Sequence, residues 1–113
     1  MRKELKIVTS SWFPFKGYIA ITILCWMIVR KDLEHKVTDR VVNHENIHYA
    51  QERELWFVGF YLLYAIFFLL NFIATFNWKK AYRENAFERE AYIYEGAMRY
   101  LNNRKRFAWT KLM

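Results

Sequence analysis

The sequence predicts a mainly α-helical protein with a short β-strand or hairpin near its N-terminus, a minimal α+β fold. Three segments support this prediction. Residues 18–29 are apolar and rich in Ile, Val and Thr, which favour strands. Residues 38–53 and 80–103 carry polar and apolar residues in patterns typical of helices. A chain of 113 residues is expected to form one domain, 1–113.

The apolar run 18–29 is too short to cross a bilayer, and we interpret it as one long strand or a tight pair of strands. Pro14 and Gly17 precede it and indicate a turn. An isolated strand is marginally stable, so we expect either a small sheet that includes residues 5–15 or lipid covering one side. No cleavable signal is recognised, and the chain is expected to keep its N-terminus.

A helix is predicted to begin at Thr38 and Asp39 and to run to about Arg53. The Thr38 hydroxyl suits the N-cap position, where a side-chain oxygen accepts from a free backbone N–H. The negative charge of Asp39 is favourable at the positive end of the helix dipole.

Residues 55–76 form an uncharged apolar segment of 22 residues, long enough to cross a membrane. A buried core helix is the alternative, but so small a protein has little other apolar surface to cover it. The chain carries 18 Lys and Arg against 11 Asp and Glu, a net charge of +7 that suits an anionic lipid bilayer. The basic residues lie mostly at segment ends, so we do not expect nucleic-acid binding.

Residues 80–103 are predicted to form one further helix that ends near Asn102 and Asn103, with Gly96 as a weak point. Residues 104–113 mix basic and aromatic side chains. This tail is expected either to dock on the domain or fray, or to lie at a lipid headgroup layer.

An H-E-x-x-H motif occupies residues 44–48 within the predicted helix. The spacing of His44 and His48 places both imidazoles on one helix face, so both Nε2 atoms can bind one Zn²⁺. Glu45 lies one step round the helix and can accept a proton from water that attacks a carbonyl carbon. Cys25 is the only cysteine, which excludes a cluster of thiolate ligands, and His35 lies in a polar stretch where we expect it to be solvated.

A catalytic zinc needs a third protein ligand, and no histidine follows His48. The candidates are carboxylates of the later helix: Glu84, Glu88, Glu90 and Glu95. All except Glu90 share one helix face, and we favour Glu88, with Glu84 second. The alternative is that these glutamates pair with neighbouring arginines on a solvated surface.

The motif at 44–48, followed by F-E-R-E-A-Y at 87–92, resembles the gluzincin arrangement of HtpX-type and CAAX-prenyl membrane endopeptidases. The resemblance implies that His44, His48 and Glu88 bind zinc and that Glu45 is the catalytic base. Tyr92 stands where that family has an Asp, which supports a ligand histidine. The chain also resembles short bacterial zincin-like proteins that have the same F-P-F-K-G-Y opening. In zincins an edge strand pairs with the substrate, and 18–29 is the candidate for it.

The expected function is that of a zinc metallopeptidase that hydrolyses a peptide or protein substrate at or near a membrane. We expect an integral or re-entrant protein of a bacterial inner membrane. The alternative is a catalytically inactive zincin-like protein that binds metal or acts as a membrane adaptor. For Glu88 to reach His48 the chain must reverse in or near 55–76, and Gly59 is the expected place.

Overall fold

A computed structural model describes residues 6–11 and 19–113 of the chain. Its strands are β1 (Lys6–Ser10), β2 (Ala20–Ile23) and β3 (Trp26–Arg30). Its α-helices are α1 (Asp39–Glu54), α2 (Val58–Thr75), α3 (Trp78–Arg83), α4 (Ala86–Tyr94) and α5 (Tyr100–Asn103), and short 3-10 helices span Lys31–Lys36 and Ala108–Leu112. The predicted class, mainly α-helical with a small N-terminal β element, is confirmed.

The sheet has three strands in the order β1-β3-β2. The described part of the run 18–29, from residue 19, contains a tight pair of strands, since β2 and β3 pair as an antiparallel hairpin. Strand β1 pairs in parallel with the other edge of β3. Thr22 of β2 lies opposite Met27 of β3, and both are buried. Pro14 and Gly17 lie outside the described residues.

Helix α1 begins as the sequence predicts, because the Thr38 hydroxyl accepts a hydrogen bond of 3.3 Å from the Val41 N–H. Strand β2, α2 and α4 all pack against α1. As a result residues 43–49 are all buried, although most of them are polar. The centre of the domain is therefore polar, and each of these side chains needs a partner inside the fold.

The chain reverses after α1 at Trp56 and Phe57, which have left-handed backbone angles with φ of 58° and 60°. The N–H of Phe57 donates to the Glu52 carbonyl at 2.7 Å and so satisfies one of the free carbonyls at the helix end. The prediction that the break falls at Gly59 is wrong, since Gly59 lies inside α2. Pairing of these carbonyls, and not glycine, sets the position of the turn.

One side of α2 meets an aromatic core, made of Phe60, Phe67, Phe87 and Trp109. The Phe87 ring lies 4.7 Å from both the Phe60 and the Trp109 ring. Trp109 belongs to the C-terminal tail and is 5% exposed, so the tail docks on the domain.

The segment 80–103 is not one helix, and that prediction is wrong. Asn85 lies between α3 and α4 and caps the start of α4. Its side-chain oxygen accepts a hydrogen bond from the Phe87 N–H at 3.1 Å, and its side-chain amide donates to the Tyr64 carbonyl at 3.1 Å. Because such side-chain contacts compete with helical hydrogen bonds, the chain turns here. Helix α4 ends just before Gly96, the predicted weak point, and α5 ends at Asn103 as expected.

A buried ion network joins α1, α4 and the tail. Glu90 is fully buried and accepts hydrogen bonds from Arg104, from the Tyr100 hydroxyl at 2.6 Å and from the Gln51 amide at 2.9 Å. Arg104 also pairs with Glu54 at 2.8 Å. The network holds the C-terminal segment against α1 and α4.

We expect Arg104→Met to lower the free energy of unfolding by about 3–5 kcal/mol, because it leaves the Glu90 and Glu54 carboxylates without their charged partner. Urea denaturation followed by circular dichroism measures the effect. The matched control is Arg106→Met, on an exposed side chain, with an expected change within about 0.5 kcal/mol. Equal stability of the two variants would contradict the role given to the network.

Candidate metal centre

Three ligating atoms from two helices form a nearly regular triangle. Helix α1 presents His44 Nε2 and His48 Nε2 at 3.2 Å from each other, one turn apart on the same face. Helix α4 presents Glu88 Oε1, at 3.2 Å from His44 Nε2 and 3.1 Å from His48 Nε2. All three residues are buried, and they form a group of side chains that can hold a metal ion. We refer to these three atoms as the ligand triangle.

The hydrogen bonds behind the two imidazoles determine which nitrogens carry protons. His44 Nδ1 faces a Glu95 carboxylate oxygen at 2.9 Å, so it must donate. His48 Nδ1 faces Gln51 Oε1 at 2.8 Å. The Gln51 amide nitrogen donates to the Phe87 carbonyl and to Glu90, so its oxygen is the atom left to accept from His48. With both Nδ1 atoms protonated, the neutral imidazoles have bare lone pairs at Nε2.

In this neutral form the ligand triangle brings three acceptors together, an arrangement that either a metal ion or a proton on a histidine Nε2 satisfies. Tetrahedral zinc with bonds of about 2.0–2.1 Å needs ligand atoms about 3.3–3.4 Å apart. The observed separations of 3.1–3.2 Å match this closely. Two imidazoles and one carboxylate form a donor set that suits zinc and other first-row transition metals better than Ca²⁺ or Mg²⁺.

The charges of the protein groups themselves also favour positive charge at the triangle. Burial disfavours the charged form of both partners, but the attraction between Glu88 and the two histidines outweighs it. The pKa of Glu88 is consequently held well below its usual range. For His48 the same attraction overcomes burial and raises the pKa to about 10.

Glu45 lies beside the ligand triangle. Its Oε2 is 3.9 Å from His44 Nε2, and its Oε1 accepts a hydrogen bond of 2.8 Å from the Thr22 hydroxyl of β2. Burial raises the pKa of the Glu45 carboxyl, although the nearby histidines and the Thr22 hydrogen bond oppose the shift. A carboxylate in this environment is poised to take up a proton next to the triangle.

Glu95, and not residue 92, provides the acceptor behind the His44 ring. The Tyr92 ring packs edge-on against the His44 imidazole, with 4.6 Å between the centroids. The acceptor for the His44 Nδ1–H is Glu95 and not Tyr92. Glu95 stands three residues later, near the end of α4, and accepts from His44 Nδ1 through Oε1. Arg40 contacts its other oxygen at 3.2 Å.

The other candidate ligands lie away from the triangle. Glu84 has a side chain 48% exposed and lies 4.0 Å from the Lys80 ammonium, because the break at Asn85 rotates it away from the face of Glu88. Glu90 points towards Arg104. His35 is exposed on the first 3-10 helix. Of the glutamates proposed from sequence as third ligand, the structure brings Glu88 to the histidines, and neither Glu84 nor Glu90.

Three residues of the site were missed by the sequence reasoning: Thr22, Gln51 and Tyr64. Tyr64 of α2 donates its hydroxyl to Glu88 Oε2 at 2.6 Å, which leaves Oε1 for the triangle. The sequence did indicate that Tyr64 has a polar partner, since a hydroxyl in an apolar helix needs one. Gln51 follows His48 by three residues and so shares its side of the helix. Nothing in the sequence around Thr22 indicates its contact with Glu45.

No protein family, curated protein or solved structure is similar enough to this chain to count as a match.

Glu52 extends the polar face of α1 by one turn beyond His48. It is fully buried, and its Oε1 accepts from the Tyr61 hydroxyl and, at 3.2 Å, from the Leu24 N–H in the hairpin turn. Burial is the dominant influence and raises the pKa of the carboxyl to about 7. In the folded protein this group therefore retains its proton to higher pH than in the unfolded chain.

We expect Glu52→Gln to remove a pH dependence of stability. Between about pH 4.5 and pH 7 the folded wild type binds more protons at this site than the unfolded chain, so its stability falls as the pH rises. Above pH 7 the variant should be more stable by roughly 1–3 kcal/mol, and below pH 4.5 the two should agree. Denaturation across this range measures the difference, with Glu34→Gln as the exposed control. Parallel pH curves for wild type and Glu52→Gln would refute the assignment.

Proposed function

We propose that this protein is a zinc-dependent hydrolase of peptide bonds that works at a membrane. The observation that carries the proposal is the ligand triangle of His44, His48 and Glu88 with the Glu45 carboxylate beside it. The choice of a peptide bond is supported by the resemblance of residues 44–48 and 87–92 to the gluzincin pattern.

His44, His48 and Glu88 would hold the zinc, which is the number of protein ligands found in catalytic sites. When bound, zinc supplies a Lewis acid that polarises a carbonyl group and lowers the pKa of water. Glu45 takes the proton from the attacking water and passes it to the leaving amine. The Thr22 hydroxyl holds one Glu45 oxygen, so the other faces the triangle.

Glu95 and Gln51 are positioning residues in this proposal. Each accepts a hydrogen bond from the Nδ1–H of one histidine and thereby keeps the Nε2 lone pair of that histidine directed at the metal. Tyr64 acts in the same way on Glu88 by binding the oxygen that does not join the triangle.

The proposed location at a membrane is supported by helix α2. This helix, Val58–Thr75, is long and apolar enough to cross a bilayer, with a mean hydropathy of 2.0, and only 6% of its residues are buried. The net charge of +7 suits the anionic lipids of a bacterial inner membrane.

We expect Glu95→Ala to weaken zinc binding by about 10–100-fold, because His44 then loses the acceptor that orients its ring. Glu95→Gln keeps an acceptor without the charge and should fall between wild type and Glu95→Ala. Titration against a chromophoric chelator measures the affinity. Glu84→Ala is the control on the exposed glutamate and should bind zinc as wild type does. Wild-type affinity in Glu95→Ala would show that Glu95 does not position His44.

The proposal is tested first by metal analysis of the purified protein after dialysis against zinc. The wild type is expected to hold one zinc per chain, and His48→Ala and Glu88→Ala to lose it. Glu84→Ala should retain it, as the matched control. Absence of zinc from the wild type would reject the metal centre and leave a membrane adaptor as the alternative.

The second test separates catalysis from metal binding. Glu45→Gln should retain zinc, since Glu45 is outside the triangle, and should cleave a quenched fluorescent peptide library about 10²–10⁴-fold more slowly than wild type. If wild type and Glu45→Gln bind zinc and cleave equally, the protein is a zincin-like metal-binding protein without peptidase activity.

A further inference from the structure

Helix α2 exposes one continuous apolar face. Six side chains form it, which we call the α2 stripe: Val58 (75% exposed), Leu62 (61%), Ile66 (41%), Leu69 (57%), Leu70 (59%) and Ile73 (58%). Their spacing of three or four residues places them on one side of the helix. Within residues 6–11 and 19–113 no element covers this face.

The opposite face of α2 is covered along most of its length. The aromatic core covers it at Phe60 and Phe67, and α3 covers it further along, where the Trp78 ring lies 4.7 Å from that of Phe68. The Asn71 amide donates to the Ala81 carbonyl of α3 at 3.3 Å. Although its sequence is apolar all round, α2 is thus half covered by the domain.

This coverage argues against a helix that crosses the bilayer with lipid on every side. Helix α3 runs beside the C-terminal half of α2 and exposes Lys79, Lys80 and Arg83. A crossing orientation of α2 would carry these charges into the hydrocarbon, which is energetically costly. An orientation in the membrane plane leaves them in water or at the headgroups.

We propose that α2 lies in the plane of an anionic phospholipid bilayer, with the α2 stripe buried at the boundary of headgroups and acyl chains. The domain then sits on the aqueous side of the helix. This inference rests on the membrane location proposed above, but neither on zinc nor on catalysis.

The two ends of α2 carry the side chains that such an orientation needs. Trp56 is 85% exposed before the helix, and Phe76 and Trp78 are 81% and 62% exposed after it. Tryptophan favours the membrane interface, where its ring is apolar and its N–H is hydrated. Lys79 and Lys80 follow directly, and the net charge of +7 attracts anionic lipid but repels a second copy of the chain.

The orientation also sets the distance between membrane and site. Tyr64 lies on the side of α2 that faces the domain and donates to Glu88. The ligand triangle therefore lies on the aqueous side of α2, at least one helix diameter, about 10 Å, from its lipid-facing side.

The first experiment measures binding of the full chain to vesicles of equimolar phosphatidylcholine and phosphatidylglycerol by co-sedimentation. We expect Leu69→Asp to weaken binding at least about 10-fold, since it places a charge in the buried stripe. The matched control is Ile93→Asp, because Ile93 is also 57% exposed but belongs to α4 and not to the α2 stripe. Its binding should stay within about twofold of wild type. Equal binding by wild type, Leu69→Asp and Ile93→Asp, or no binding by any of the three, would overturn the proposal.

The second experiment distinguishes a helix in the membrane plane from one that crosses it. Nitroxide labels are placed singly on Leu62→Cys, Leu69→Cys and Ile73→Cys in a Cys25→Ser background, and their depth in the same vesicles is measured by collision with oxygen and a nickel chelate. In the plane, all three labels have the same depth. A crossing helix separates positions 62 and 73 by about 16 Å. That gradient would overturn the in-plane orientation while leaving the membrane location and the zinc site intact.

A third outcome concerns self-association. If the protein forms a dimer in solution that Leu69→Asp dissociates, and does not sediment with vesicles, the stripe is an interface between copies and the lipid proposal is rejected.

Discussion

The packing of α4 against α1 brings three ligating atoms, His44 Nε2, His48 Nε2 and Glu88 Oε1, within 3.2 Å of one another. Three lone pairs repel unless positive charge lies among them, so this contact needs a bound metal ion or a proton on a histidine. Helix α1 carries the polar residues of the site and is packed on by β2, α2 and α4. The distribution of residues differs from that of an ordinary small domain, because a buried polar cluster lies beside the aromatic core and an apolar stripe is exposed. The proposed zinc and the proposed lipid contact account for these two features.

The chain brings Glu88 to the histidines through two local devices. The left-handed turn at Trp56 and Phe57 folds α2 back against α1, and the break at Asn85 sets α4 at the rotation that aims Glu88 at the site. Both devices use hydrogen bonds between polar groups and free backbone ends, and neither uses glycine. Tyr64 then links α2 to the ligand itself. The apolar helix is thus part of the site's support as well as the proposed contact with lipid.

Tyr92 and Glu95 make two different contacts with His44. The resemblance to gluzincins led us to expect weak support for the ligand histidine, because Tyr92 stands where that pattern has an Asp. In the fold, Glu95 accepts from His44 Nδ1, and Tyr92 provides a ring contact instead. The two positions are on neighbouring parts of the same helix face, so the acceptor moves along the helix without leaving the ligand's side. The function of the acceptor depends on position in space, and the residue number alone does not reveal it.

The sequence by itself determined the features that depend on local chemistry. These are the start of α1 at Thr38, the presence of β-structure in 18–29, and the placement of His44 and His48 on one helix face. The sequence also favoured Glu88 among four glutamates, with support from the gluzincin resemblance. The tertiary structure decided the turn at Trp56 and Phe57, the break at Asn85, and the contacts of Thr22, Gln51, Tyr64 and Glu95. These depend on which free backbone groups and buried polar atoms meet after the helices pack. The contacts of Thr22, Tyr64 and Glu95 join residues far apart in the chain, and periodicity carries no information about them.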